Sequence, residues 1–103
     1  MHTIRLRSAW TPAVADSADG APRRFERAFG QPTNLGVGRV FLAVEPKPQG
    51  RVFLNGEPVE AASPAAMDVW RADITPRLIS RNLLAIEADS PTFAHEVRLE
   101  IVE

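Results

Sequence analysis

The chain has 103 residues, of which 45% are hydrophobic and 24% charged, with a net charge of −1 and no cysteine. A single domain over residues 1–103 is expected, large enough to bury about 60% of its unfolded surface around one core. The twelve basic and thirteen acidic residues are intermixed, which leaves no electrostatic ground for nucleic acid or an anionic membrane surface as partner, and the lack of cysteine excludes disulfides and thiolate metal sites.

The opening residues, MHTIRLR, contain no apolar run of signal-peptide length, and no stretch approaches a membrane span, so the expected location is cytoplasmic. Ile4, Leu6 and Ser8 alternate with Thr3, Arg5 and Arg7, the period of a strand, and Trp10 lies near its end. Residues 11–22, TPAVADSADGAP, are rich in Pro, Asp, Ser, Gly and Ala and read as a loop. Phe25, Arg27 and Phe29 then share one face of a second strand. In the strand of residues 39–45, Val40, Leu42 and Val44 face inward.

In RVFL (residues 51–54) Val52 and Leu54 alternate with Arg51 and Phe53. Asn55-Gly56 follows, two residues that accept the positive φ of a tight turn, so a hairpin is expected. Pro58 on the return arm cannot donate to a ladder and predicts an edge strand or bulge. Trp70, Ala72 and Ile74 form one face of the next strand. Thr75-Pro76 then signals a helix start, with the Thr75 hydroxyl as cap and a single helical turn near residues 75–80. Asn82, which tolerates left-handed backbone, is the expected exit from that turn. Leu84, Ile86 and Ala88 begin another strand, and Val97, Leu99 and Ile101 give the last one strict alternation with Arg98, Glu100 and Val102. Short strands separated by turn residues, with almost no helix, define an all-β antiparallel sandwich.

Three spaced patterns carry a resemblance: Val-x-Leu-Asn-Gly-x-x-Val from Val52, Asp-Ile-Thr-x-x-Leu from Asp73, and Asn-x-Leu-x-Ile from Asn82. Together with Phe25-Glu26-Arg27-Ala28-Phe29 and Arg39-Val40-Phe41-Leu42 upstream, they resemble the N-terminal sugar-binding domain of glycoside hydrolase family 2 over roughly residues 23–101. The resemblance implies a jelly-roll sandwich of the galactose-binding-like type. It implies carbohydrate binding rather than hydrolysis, because the family's catalytic carboxylates belong to a separate barrel. The link at residues 46–50 lacks the family's Val-Asp-like pair, and the loop at residues 60–68 is shorter than the family's.

Sugar recognition on a sandwich needs an aromatic platform with hydrogen-bonding groups at a loop rim. Trp10 is the expected platform, with Asp16 and Asp19 of ADSADG as the polar groups. Trp70, in phase with Ala72 and Ile74, belongs to the core, and Phe93 is the other aromatic near a loop end. Asp16, Asp19 and Gly20 also suggest a calcium loop, but the closing acidic ligand is missing and the fuller expectation is a solvated turn with no metal or other cofactor. His2 and His95 could approach each other if the first and last strands pair. No paired carboxylates, nucleophile with its base, or phosphate loop is visible, and Gly36-Val37-Gly38 signals only a turn, so no enzymatic activity is expected. Two readings follow. One is a non-catalytic module that binds carbohydrate. The alternative is a protein-protein interaction or structural module acting through a sheet face, on another chain or as a homo-oligomer, marked by exposed Phe41, Phe53 or Val102 on an outer face.

Overall fold

The computed structural model describes residues 2–7, 10–12, 23–32, 38–48, 50–61, 68–88 and 95–102. Their strands are β1 (His2–Arg5), β2 (Thr11–Pro12), β3 (Arg23–Gly30), β4 (Arg39–Glu45), β5 (Val52–Leu54), β6 (Glu57–Val59), β7 (Trp70–Asp73), β8 (Arg81–Ala88) and β9 (Glu96–Val102). They form an all-β structure of two antiparallel sheets. One has the order β1-β9-β4-β7 and the other the order β2-β3-β8-β5-β6. From β3 onward the chain passes from sheet to sheet at almost every connection. The exception is the β5–β6 hairpin, whose Asn55 and Gly56 have φ of 54° and 86°.

Alternation places the core. Val40, Leu42 and Val44 of β4 are fully buried, as are Leu84 and Ile86 of β8. Leu54, Ala72, Ile74, Val97 and Leu99 close the layer between the sheets. Trp70 is partly buried against this cluster, in the phase expected of it. Pro58 lies on β6, the edge of the five-stranded sheet, where a residue without an N–H removes no bond from the interior. No helix among the described residues is long and apolar enough to cross a membrane.

Three local expectations are corrected. Thr11 and Pro12 are not loop but a two-residue strand paired to Glu26 and Phe25 of β3. The helical turn is a 3-10 turn over Thr75–Arg77 only, and Ile74 occupies its cap position without a side-chain bond. The Thr75 hydroxyl accepts Val40 N–H on the neighbouring strand at 2.8 Å and donates to Asp73 Oδ1 at 2.6 Å. β7 brings the turn alongside β4, so the nearest unpaired N–H belongs to another strand rather than to the turn. Asn82 does not leave the turn in left-handed backbone: it is the second residue of β8, and Asn55 alone among the described non-glycine residues has a positive φ.

Candidate functional site

Pairing register turns the outer positions of the four-stranded sheet into rows of charge. Arg5 lies opposite Arg98, Arg98 opposite Ala43, and Ala43 opposite Arg71, which makes one cationic row across all four strands. Two residues along, Glu96 faces Glu45 on one side of that row. On the other side Thr3, Glu100, Phe41 and Asp73 line up. Like charges directly opposite repel, and the side chains answer by pairing diagonally between rows. Arg98 reaches Glu45 and Glu100, each at 3.2 Å, and Glu96 at 4.0 Å. Arg71 meets Glu100 at 2.7 Å, Arg5 meets Glu96 at 3.8 Å, and Arg39 meets Asp73 at 2.6 Å. The Arg71 guanidinium also lies 4.0 Å from the Phe41 ring centre, a cation–π contact that covers the ring.

Over β1 and β9 this face forms an open groove of about 800 Å³, lined by Thr3, Arg5, Arg7, Glu45, Glu96, Arg98 and Glu100. The hydrogen bond from Arg71 holds the Glu100 carboxyl below its ordinary range; burial opposes this, and Arg98 adds to it. Burial disfavours the Arg98 charge, but its bonds to Glu100 and Glu45 outweigh that, so its guanidinium is held charged more firmly than usual. A general acid needs the opposite perturbation, a carboxyl raised toward neutral pH. Glu100 is therefore held as a fixed acceptor for Arg71 and Arg98.

The other outer face differs. Phe53 of β5 is opposite Ala85 of β8, which is 4% exposed. Arg24 stands 4.4 Å and Arg51 5.1 Å from the Phe53 ring centre. Glu87, 8% exposed, accepts from Arg51 Nε and from Arg51 N, each at 3.1 Å. Leu83, on the same face, is 44% exposed.

Trp10, the expected sugar platform, is partly buried against the core, and its indole N–H donates to Leu6 O at 2.9 Å. Asp16, Asp19, Gly20 and Phe93 lie outside the described residues, as do Gly36 and Val37. The first and last strands do pair, and because they pair antiparallel His2 faces Ile101 while His95 precedes Glu96 at the opposite end, where its Nδ1 lies 2.7 Å from Pro46 O. The two histidines are therefore apart. Phe41, Phe53 and Val102 are half-buried on outer faces, the first two covered by guanidinium groups. The groove residues were each legible as outward-facing, but nothing local to any strand told which of them would meet. A scan against protein-family models finds no match for this chain, and a search of curated proteins finds no relative.

Proposed function

We propose that this protein is a non-catalytic β-sandwich module that assembles with a second copy of itself through the outer face of its four-stranded sheet. The observation that carries the reading is the striping of that face, a cationic row through Arg5, Arg98 and Arg71 between acidic residues on either side. A striped face is self-complementary. Displaced by one row, the cations of one copy lie against the carboxylates of the other, the isologous arrangement that closed dimers use.

Sedimentation equilibrium at low and high salt tests it. A dimer that weakens as salt rises, and that the charge reversal Arg5→Glu dissolves, supports the reading. A monomer at every concentration and salt rejects it.

A second reading, carbohydrate binding in the same groove, is favoured by the resemblance to the family 2 sugar-binding domain and by the jelly-roll, galactose-binding-like fold it implies. Fixed carboxylates and guanidinium groups offer sugar hydroxyls both acceptors and donors. Against it, Trp10 and Trp70 both pack on the core and leave no fully exposed tryptophan face among the described residues. Amide NMR titration with a panel of neutral sugars separates the two: shifts confined to β1 and β9 favour carbohydrate, and a flat response removes it.

A further inference from the structure

We propose that Arg24 and Arg51, gathered over the Phe53 ring, form a binding site for a carboxylate presented by an acidic peptide. The site lies on the five-stranded sheet and does not depend on the dimer reading.

The strand pattern puts Phe53 out of phase with the buried Val52 and Leu54, on a face where a polar residue would serve solubility better. Register brings charge to it. Arg24 of β3 is opposite Glu87 of β8, and Glu87 N–H donates to Arg51 O at 2.9 Å, so the three residues cross the sheet in one row, Arg24, Glu87, Arg51. That row holds two cations and one anion. The anion is nearly buried, and its Oε1 is engaged by both the side chain and the backbone of Arg51. Arg24 makes no ion pair among the described residues, and its contact is the Phe53 ring.

A guanidinium stacked on a ring keeps its N–H groups in its own plane, free to grip a carboxylate in a two-point fork. Arg51 gives its Nε to Glu87 and keeps its terminal nitrogens. Glu87 fills the place between the two arginines, so a ligand carboxylate would approach from solvent beside the Phe53 ring, where it meets Arg24, which Glu87 does not engage, and the terminal nitrogens of Arg51. The size of the ligand's charge is bounded as well. Glu26 stands two residues from Arg24 on the same face, so repulsion grows with each further negative charge on the ligand and favours one carboxylate over a polyanion. Along the strand direction the next rows hold Glu26 and Ala85 with Phe53 and Pro58, then Ala28 with the exposed Leu83. The occupant that fits is an extended peptide with an acidic residue on the arginine row and an apolar residue on Leu83.

The test is an NMR titration of the full chain with a blocked peptide carrying glutamate and leucine, run beside the same peptide with glutamine and beside inorganic phosphate. The expected result is shifts at the Arg24 and Arg51 side-chain N–H groups and at the Phe53 and Leu83 amides, with the glutamate peptide only. Arg24→Gln should weaken that binding by about tenfold or more, the loss of a charge-assisted contact, without lowering the melting temperature. Arg24→Lys should restore part of it. No shift with the glutamate peptide, an equal response to the glutamine peptide or to phosphate, or binding unchanged in Arg24→Gln would each overturn the proposal.

Discussion

Asn55 at the hairpin tip and Asn82 at the start of β8 are joined side chain to side chain, Asn55 Nδ2 donating to Asn82 Oδ1 at 3.1 Å. Asn82 is only 2% exposed, and it also accepts Ile79 N–H at 3.0 Å and donates to Ile79 O at 2.9 Å. Asn55 accepts Leu83 N–H at 2.8 Å in turn. Two asparagines thereby tie the hairpin, the segment after the 3-10 turn and the first residues of β8 into one unit.

Asn82→Ala removes the side-chain bonds of Asn82 and leaves Ile79 and Asn55 without these partners. A loss of about 1–3 kcal/mol is expected, the usual range for unsatisfied buried polar groups. Urea unfolding should show a lower midpoint with an unchanged slope, because the surface exposed on unfolding stays the same.

Gly50 is a second point of close approach. A Cβ added there would come within 2.6 Å of Glu87 Cβ and 3.2 Å of Glu87 O, so the backbone at residue 50 passes β8 where no side chain fits. Gly50→Ala should cost about 1–3 kcal/mol by forcing the segment before β5 away from β8. Thermal unfolding would detect it as a lowered midpoint, and Gly56→Ala would be a useful contrast, since its cost comes from a φ of 86° with no atom within 4 Å.

Leu54 is 2% exposed and faces Leu84 across the β5–β8 ladder. Truncation to alanine opens a cavity between the sheets, and Leu54→Ala should lose about 2–5 kcal/mol, a large part of the stability of a domain this size. A denaturation midpoint equal to that of the parent chain would contradict the placement of this residue in the core.

Acid should unfold this protein through two particular carboxyls. Burial raises the Asp73 carboxyl, but bonds from the Thr75 hydroxyl, Thr75 N–H and Arg39 prevail and hold it below its ordinary value. Glu100 is held low chiefly by Arg71. Both groups bind protons less readily folded than unfolded, so the unfolded chain takes up more protons as pH falls and stability falls with it. Their contribution is complete above the unfolded values of about 4 and is lost as the pH drops through the lower folded values. Unfolding free energy measured from pH 7 downward should be flat and then decline in the acid range, and Arg71→Gln should shrink that decline.

The sequence by itself determined which face each residue of a strand takes. Val40, Leu42 and Val44, Leu84 and Ile86, and Val97, Leu99 and Ile101 are buried as their alternation requires, because a pleated strand sends successive side chains to opposite sides whatever its partner. The Asn55-Gly56 turn and the restriction of Pro58 to an edge or a bulge were legible for the same reason, since each depends only on backbone sterics and hydrogen-bonding capacity at that residue. The tertiary structure alone decided the partners. That β9 runs between β1 and β4, that Arg5, Arg98 and Arg71 share a row, and that Arg24 and Arg51 meet over Phe53 all depend on strands far apart in the chain lying side by side in one register. Trp10 shows the same limit: alternation carried the first strand to Ser8 with Trp10 near its end, whereas β1 closes at Arg5 and Trp10 precedes β2, and its packing against the core depends on how the two sheets close around it. Alternation is a property of one strand, whereas pairing is set by the packing of two sheets around a shared core, and no local stretch of sequence contains that information.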